Sequence, residues 1–269
     1  MSETDIHPTA IVDPGARLGT GVRIGPYCVI GAQVEVGDGC RLQHHVTLEG
    51  PSVIGPGNVF YVYASIGQQT QDLKYRGEPT HLRIGEGNTF REFVTVHRGT
   101  APESWTVIGS RGNFLAYSHV AHDCVVGDGV IFSNNGTIAG HVEVQDYAVI
   151  GGLTAVHQYC RIGRHAITGG CSKIVQDVPP FMIADGNPAR VRGLNQVGLE
   201  RHGFAEESVR RLREAYRLLY RSKMNVKQAV EEIRSTLLPG AAEIEQLVAF
   251  IESSDRGIIR RPVRGGEAE

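Results

Sequence analysis

Four histidines fall between residues 119 and 157, at His119, His122, His141 and His157, and the second is followed at once by Asp123. A neutral imidazole titrates near physiological pH. It suits the removal of a proton from an alcohol whose oxygen attacks an activated acyl group. Three imidazoles converging on one point would instead hold a metal ion. A surface role is the ordinary fate of any single histidine, but four in 39 residues beside an acidic neighbour call for chemistry.

The element that must position them is written in a six-residue period. Of the 29 multiples of six from 6 to 174, 25 are apolar, where a hydrophobic fraction of 41% would give roughly twelve. Neither a helix nor a simple strand has that period. It is the signature of a parallel β-helix of hexapeptide repeats, each hexad a short strand and a turn, three hexads to a triangular coil. The large residue points inward, and the residue two places before it is small, as at Cys28, Cys40, Ala64, Ser118, Cys124, Ala148, Thr154 and Cys160. Four of the five cysteines fill this slot, which predicts buried thiols rather than disulfides or a metal cluster. Glycine follows the large residue at eleven positions, among them 25, 55, 67, 109 and 127, where it is expected to permit turn conformations that a side chain opposes.

On an 18-residue coil, positions 119, 141 and 157 reach nearby heights, on adjacent faces or across a subunit boundary. A metal site wants two histidines about five residues apart, plus a third roughly two coils earlier. His119 and His122 are three apart and His97 lies 22 before His119, so no resident metal and no cofactor are expected.

The period fails at Asp72 and Glu78, inside QQTQDLKYRGEPT (68–80), and at Pro102, inside APESWT (101–106). The phase resumes after each failure, so loops over 68–82 and 100–107 leave the coil and return. Long loops on a rigid scaffold are disproportionately functional. Asp72, Lys74, Tyr75 and Glu78 are groups suited to a sugar or phosphate. The β-helix is expected over 1–186 and a small helical domain over 187–269. There, apolar spacing predicts helices around 209–219, 226–237 and 244–251, the second capped by Asn225. The break Pro239–Gly240 precedes the third, and the end from Gly257 reads as frayed.

A formal charge of −2 argues against nucleic acid as a partner. The start carries no basic segment with an apolar core, and no run of eighteen apolar residues occurs, so a cytoplasmic protein without membrane insertion is expected.

Together, QDLKYRGEPT (71–80), REFVTVHRGT (91–100), HVAHDC (119–124), NNGTIAGHV (134–142), GGLTAVHQYC (151–160), GGCS (169–172) and QDVPP (176–180) resemble the UDP-N-acetylglucosamine O-acyltransferase family of lipid A biosynthesis. The likeness runs from Ile6 to about Arg260. It implies a left-handed β-helix, a homotrimer with clefts between subunits, and transfer of an (R)-3-hydroxyacyl chain from acyl carrier protein to the 3-hydroxyl of UDP-N-acetylglucosamine. In that picture His122 is the general base, Asp123 supports its ring, and the backbone N–H of Gly140 stabilises the oxyanion. His119, Asp72 and Lys74, with Gln71, match sugar-nucleotide contacts. His141, His157 and Gln158 match residues near the sugar or acyl group, and Asn195 and Arg201 match nucleotide contacts.

Gly170 matches the acyl-chain ruler of the family, where a glycine implies a long donor. Val197, His202 and Pro188 stand where some members carry a carboxylate, a second arginine and a histidine. Arg164, Lys173, Arg190 and Arg192 are candidates for docking the acidic carrier. Three rivals remain in view. A sister N-acyltransferase would need an N-terminal uridine-binding domain, for which hexads starting at residue 6 leave no room. The others are an acetyl-CoA-dependent acetyltransferase and a non-catalytic scaffold.

Overall fold

Parallel pairing in steps of eighteen residues builds three sheets, as in Phe114 beside Phe132 and Phe132 beside Ile150. The computed structural model describes residues 3–238 and 240–260. Its first sheet has eleven strands starting at Asp5–Ile6. The second has nine, from Ile11–Val12 to Lys173–Ile174. The third has eight, from Arg17–Leu18 to Arg161–Ile162. Successive hexads visit the first, second and third sheet in turn, which makes a three-sided parallel β-helix.

The large inward residues form the core, from Ile24 to Ile174. Ile6, in the end coil, is still 43% exposed. Because parallel register puts like residues above one another, Phe60, Phe90, Phe114 and Phe132 lie in a column with ring centroids 5.1, 4.7 and 5.1 Å apart. That spacing is close to the distance between paired strands. Fully burying each ring contributes about 1.5–3 kcal/mol. The one missed apolar slot near the end, Thr168, is satisfied by its hydroxyl, which accepts from the Gly151 N–H at 2.8 Å.

Left-handed backbone conformations recur at the corners, one every six residues over most of the coil. They are taken by Asp123 (φ 59°), His141 (61°) and Tyr159 (63°) between the second and third sheets. Of the eleven glycines that follow a large residue, only Gly67 has positive φ, so turn freedom is not what the others supply. They stand where successive coils approach most closely. A Cβ at Gly25 would lie 2.7 Å from the Gln43 carbonyl oxygen, and one at Gly55 2.7 Å from that of Gly85.

All five cysteines are free, and the four in small slots are buried. Burial pushes the Cys124 thiol up to about 12.

Phe60 pairs with Phe90, thirty residues on, and Phe90 with Phe114, twenty-four on. The two insertions therefore add twelve and six residues to an 18-residue coil. Strands resume at His81–Ile84 and Trp105–Ile108, before the expected loop ends at 82 and 107.

After the last coil, strands Met182–Gly186 and Ala189–Leu194 form an antiparallel hairpin on the end of the first sheet. Four helices follow: α1 (Gln196–Arg201), α2 (Glu206–Tyr220), α3 (Val226–Thr236) and α4 (Ala242–Glu252). The six-residue α1, capped by the Asn195 side chain, and the hairpin escape the sequence reading. Asn225 caps α3 through a full capping box with Gln228. The helices bury Val209, Leu212, Ile233, Leu247 and Phe250 against Met182 of the hairpin and Phe181 just before it.

Gly257 to Arg260 is not frayed: Ile258 and Ile259 are buried, and Ile258 bridges to Asp177. The rest of that segment, and Pro239, lie outside the described residues. No described helix is long and apolar enough to cross a membrane.

Candidate active site

Both insertions and the His122–Asp123 pair leave the coil at the same corner. The first loop follows strand Ser65–Gln68 of the second sheet and ends at His81 of the third. The second loop joins Thr95–His97 to Trp105–Ile108 across the same two sheets. His122 and Asp123 sit in the next coil, between His119–Val120 and Val125–Val126. Gly140 and His141 lie one coil on, and His157, Gln158 and Tyr159 two coils on.

Nδ1 of His122 stands 2.7 Å from Asp123 Oδ2. Burial would raise the Asp123 carboxyl, but hydrogen bonds from His122 and the Thr100 backbone outweigh it and hold the group below the usual carboxylate range. An ionised carboxylate only accepts, so Nδ1 carries a proton, and in the neutral ring Nε2 holds the lone pair. The pair is only partly accessible, with 15% of the His122 side chain exposed and 9% of Asp123.

Asp123 is fixed from three sides. The Thr100 N–H donates to both its oxygens at 3.1 and 3.3 Å, and its own N–H donates to Thr106 Oγ1 at 2.8 Å. Nε2 of His141 lies 3.8 Å from Oδ2. His141 stands edge-on to His122 at 5.2 Å and stacks on Tyr159 at 4.6 Å. The ligand atoms of His122, Asp123 and His141 fall within 4.8 Å of one another. The direct hydrogen bond between His122 and Asp123 already accounts for two of the three.

Gly140 packs flat against the imidazole. A Cβ there would fall 2.5 Å from Nε2. Its carbonyl accepts from the Tyr159 N–H, while its own N–H has no backbone acceptor among the described residues.

His119 points outward from its strand, with Nδ1 2.7 Å from Thr95 Oγ1. Burial and the neighbouring His122 lower it, against the Thr95 contact. Behind it, edge-on at 4.8 Å, lies His97, buried and lowered to about 4 by desolvation and by the charges of His119 and His122. Both shifts favour the uncharged imidazole beside His122.

Matches to known proteins carry the same arrangement of sequence and fold. Residues 177–259 match the model described as UDP N-acetylglucosamine O-acyltransferase, domain 2. Residues 3–38 match the bacterial transferase hexapeptide model. A Thermodesulfovibrio yellowstonii protein named acyl-[acyl-carrier-protein]–UDP-N-acetylglucosamine O-acyltransferase is 48% identical over 257 residues, spanning 95% of this chain and 99% of its own length. The chain belongs to the UDP-N-acetylglucosamine O-acyltransferase family.

Solved members superpose closely. LpxA from Acinetobacter baumannii gives a TM-score of 0.92 at 44% identity, covering 95% of this chain and 99% of its own. The UDP-N-acetylglucosamine acyltransferase of Francisella novicida gives 0.91 at 35%, covering 96% and 95%. The architecture is the left-handed β-helix with a helical end that the resemblance implies.

Within this acyltransferase fold, one protomer distributes the remaining expected residues unevenly. Gln71 and Lys74 are exposed on the first loop, and Asp72 is half-buried there, its Oδ1 accepting from the Lys74 N–H at 2.9 Å. Tyr75 and Glu78 bind within that loop: the Tyr75 hydroxyl donates to the Glu78 carbonyl and Glu78 accepts from the Arg76 N–H. His157 and Gln158 are exposed at the His122 corner. Gly170 lies at a different corner, between the first and second sheets. Asn195 caps α1 and donates to the His165 carbonyl, at the third corner, with Arg201 and His202 at the far end of that helix.

Of the basic residues, Arg164 reaches Gln246 on α4 and Arg192 stands 3.6 Å from Asp185, whereas Lys173 and Arg190 are exposed. Thr100 and Thr106 went unread in the sequence, since one contributes a backbone N–H that every residue type but proline carries.

Proposed function

We propose that the chain transfers a 3-hydroxyacyl group from acyl carrier protein to the 3-hydroxyl of UDP-N-acetylglucosamine, with His122 as the general base. The observation that carries this reading is the 2.7 Å contact that commits Nδ1 to Asp123 and leaves Nε2 free beside Gly140. Nε2 takes the sugar hydroxyl proton as the oxygen bonds to the thioester carbonyl carbon. The tetrahedral oxyanion lies against the Gly140 N–H, which has no backbone acceptor among the described residues. Collapse breaks the C–S bond, and the imidazolium returns its proton to the departing thiolate. Asp123 steadies the imidazolium between the two steps.

His119, Asp72, Lys74 and Gln71 hold the sugar nucleotide in this scheme. His141, His157 and Gln158 flank the sugar and acyl group, and Asn195 and Arg201 meet the nucleotide. One protomer sets these groups and Gly170 at three different corners, which supports a homotrimer whose sites draw on two neighbours. An acidic carrier docks on exposed basic residues such as Arg190. In this reading the reaction is the first step of lipid A biosynthesis, carried out in the cytoplasm.

Mass spectrometry of UDP-N-acetylglucosamine incubated with a series of 3-hydroxyacyl carrier thioesters, with acetyl-CoA in parallel, tests the assignment. A mono-acylated sugar nucleotide from carrier thioesters alone is expected. Acylation from acetyl-CoA alone, or from neither donor, would overturn it.

A further inference from the structure

The first loop, which bears Asp72 and Lys74, is joined to the catalytic carboxylate by a continuous line of hydrogen bonds through two threonines. The Asp72 N–H donates to Thr70 Oγ1 at 3.0 Å. Thr100 Oγ1 donates to that same oxygen at 2.7 Å. The Thr100 N–H then donates to the Asp123 carboxylate, which meets His122. Thr70 is 5% exposed, so its hydroxyl meets these partners almost out of reach of solvent. Other bonds lock the loops into one unit: the Glu103 N–H donates to the Pro79 carbonyl at 2.8 Å, and His81 Nε2 lies 3.0 Å from Glu103.

We infer that Thr70 and Thr100 are positioning residues, which set the second loop so that its Thr100 N–H meets Asp123 while the first loop holds the acceptor. The inference deepens the proposed reaction and rests on it. Neither hydroxyl touches the reacting atoms; each acts through the other and through a backbone amide. The titratable groups facing Asp123 are His122, His141 and the Cys124 thiol, and burial keeps the thiol neutral.

The test uses Thr70→Val, Thr100→Val, the double variant and Thr70→Ser in the full-length enzyme. Each valine keeps the shape and β-branching of threonine but removes the bridge. Both single variants are expected to lower kcat about threefold to tenfold, the order of one internal hydrogen bond, with KM for UDP-N-acetylglucosamine within about twofold of the parent. The double variant should be no worse than either single one. Thr70→Ser, which restores the hydroxyl, should restore the rate.

A second readout needs no turnover. In protein labelled with 13Cγ-aspartate, the Asp123 resonance (identified by its loss in Asp123→Asn) should titrate at higher pH in Thr70→Val than in the parent, because a loosened Thr100 N–H leaves a more basic carboxylate. Unchanged kcat, multiplicative losses in the double variant, a serine as damaging as valine, or an unmoved Asp123 titration would overturn the inference. Should the parent fail to acylate UDP-N-acetylglucosamine, the proposed reaction falls, and the Asp123 titration alone still decides the role of the threonines.

Discussion

His122 and Asp123 are adjacent in sequence, yet their side chains meet, Nδ1 to Oδ2 at 2.7 Å. Along an extended strand consecutive side chains leave opposite faces. The contact exists because Asp123 occupies a corner at φ 59°, a left-handed conformation that aspartate tolerates better than most residues. The β-helix thus brings an imidazole and a carboxylate from two neighbouring residues into direct contact.

His122→Ala is expected to lower kcat by about 10²–10⁴-fold, the range for a lost general base. Little stability should be lost, since the ring lies outside the prism. Asp123→Asn retains a side chain suited to left-handed backbone but no longer requires the proton on Nδ1. Its kcat should fall about tenfold to a hundredfold, with KM for the sugar nucleotide nearly unchanged. Steady-state kinetics beside thermal melts separate these effects from unfolding.

Gly140→Ala probes the contact from the other side. Gly140 does not have positive φ, so alanine imposes no backbone strain, and the N–H proposed for the oxyanion remains. The new methyl group would overlap Nε2 and Cε1 of His122. The ring must swing away from its present position, and kcat should fall about a hundredfold while the melting temperature stays within a few degrees of the parent. Wild-type activity in this variant would show that the ring does not work from where it stands.

The coil was legible in the sequence because every inward slot accepts one narrow class of residue, repeated until chance is excluded. Asp72, Glu78 and Pro102 marked the loops by breaking that rule. That both loops emerge at the His122 corner follows from counting strands, but that they bind each other through Thr70 and Thr100 does not. Threonine is common on any surface, and the group that reaches Asp123 is a main-chain amide with no letter of its own. Glycine after the large residue was visible, yet its cause was not. The close approach of Gly25 to Gln43 involves two coils and appears only once they stack. Helix α1 was too short to show periodicity, and Asn195, expected to meet nucleotide, already caps it.

Gly170 tests the donor specificity. A Cβ there meets only the Gly152 carbonyl oxygen, at an ordinary 3.5 Å, and the backbone is not left-handed. Methionine therefore fits without strain and fills open space. If this position limits the acyl chain, Gly170→Met should shift preference to shorter 3-hydroxyacyl donors, with the rate on the longest falling at least tenfold. Competition between donors of different length, read by mass spectrometry, measures the shift. An unmoved profile would remove Gly170 from the groove.

The third corner predicts an acid limit to stability. His165 is 4% exposed, stacked against Tyr147 and edge-on to His202 and Phe204, and its Nδ1 has no hydrogen-bond partner among the described residues. Desolvation, then the charges of His202 and Arg164, lower it to about 4, against a small opposing effect of Asp146. Unfolded, the same group takes its proton near pH 6.5. Between these values the unfolded chain binds more protons than the folded one, so stability falls as pH drops from about 6.5 to 4 and levels below that. His97, also held at about 4, adds a second proton over the same window. His165→Phe keeps an aromatic ring in the stack, in a conformation that Phe93 and Phe181 already adopt, and removes one titrating group. Its melting temperature should fall less steeply than the parent's between pH 6.5 and 4, with equal activity at pH 7.5. Parallel slopes for the two proteins would mean that the His165 ring is already protonated in the fold, or that it titrates normally there.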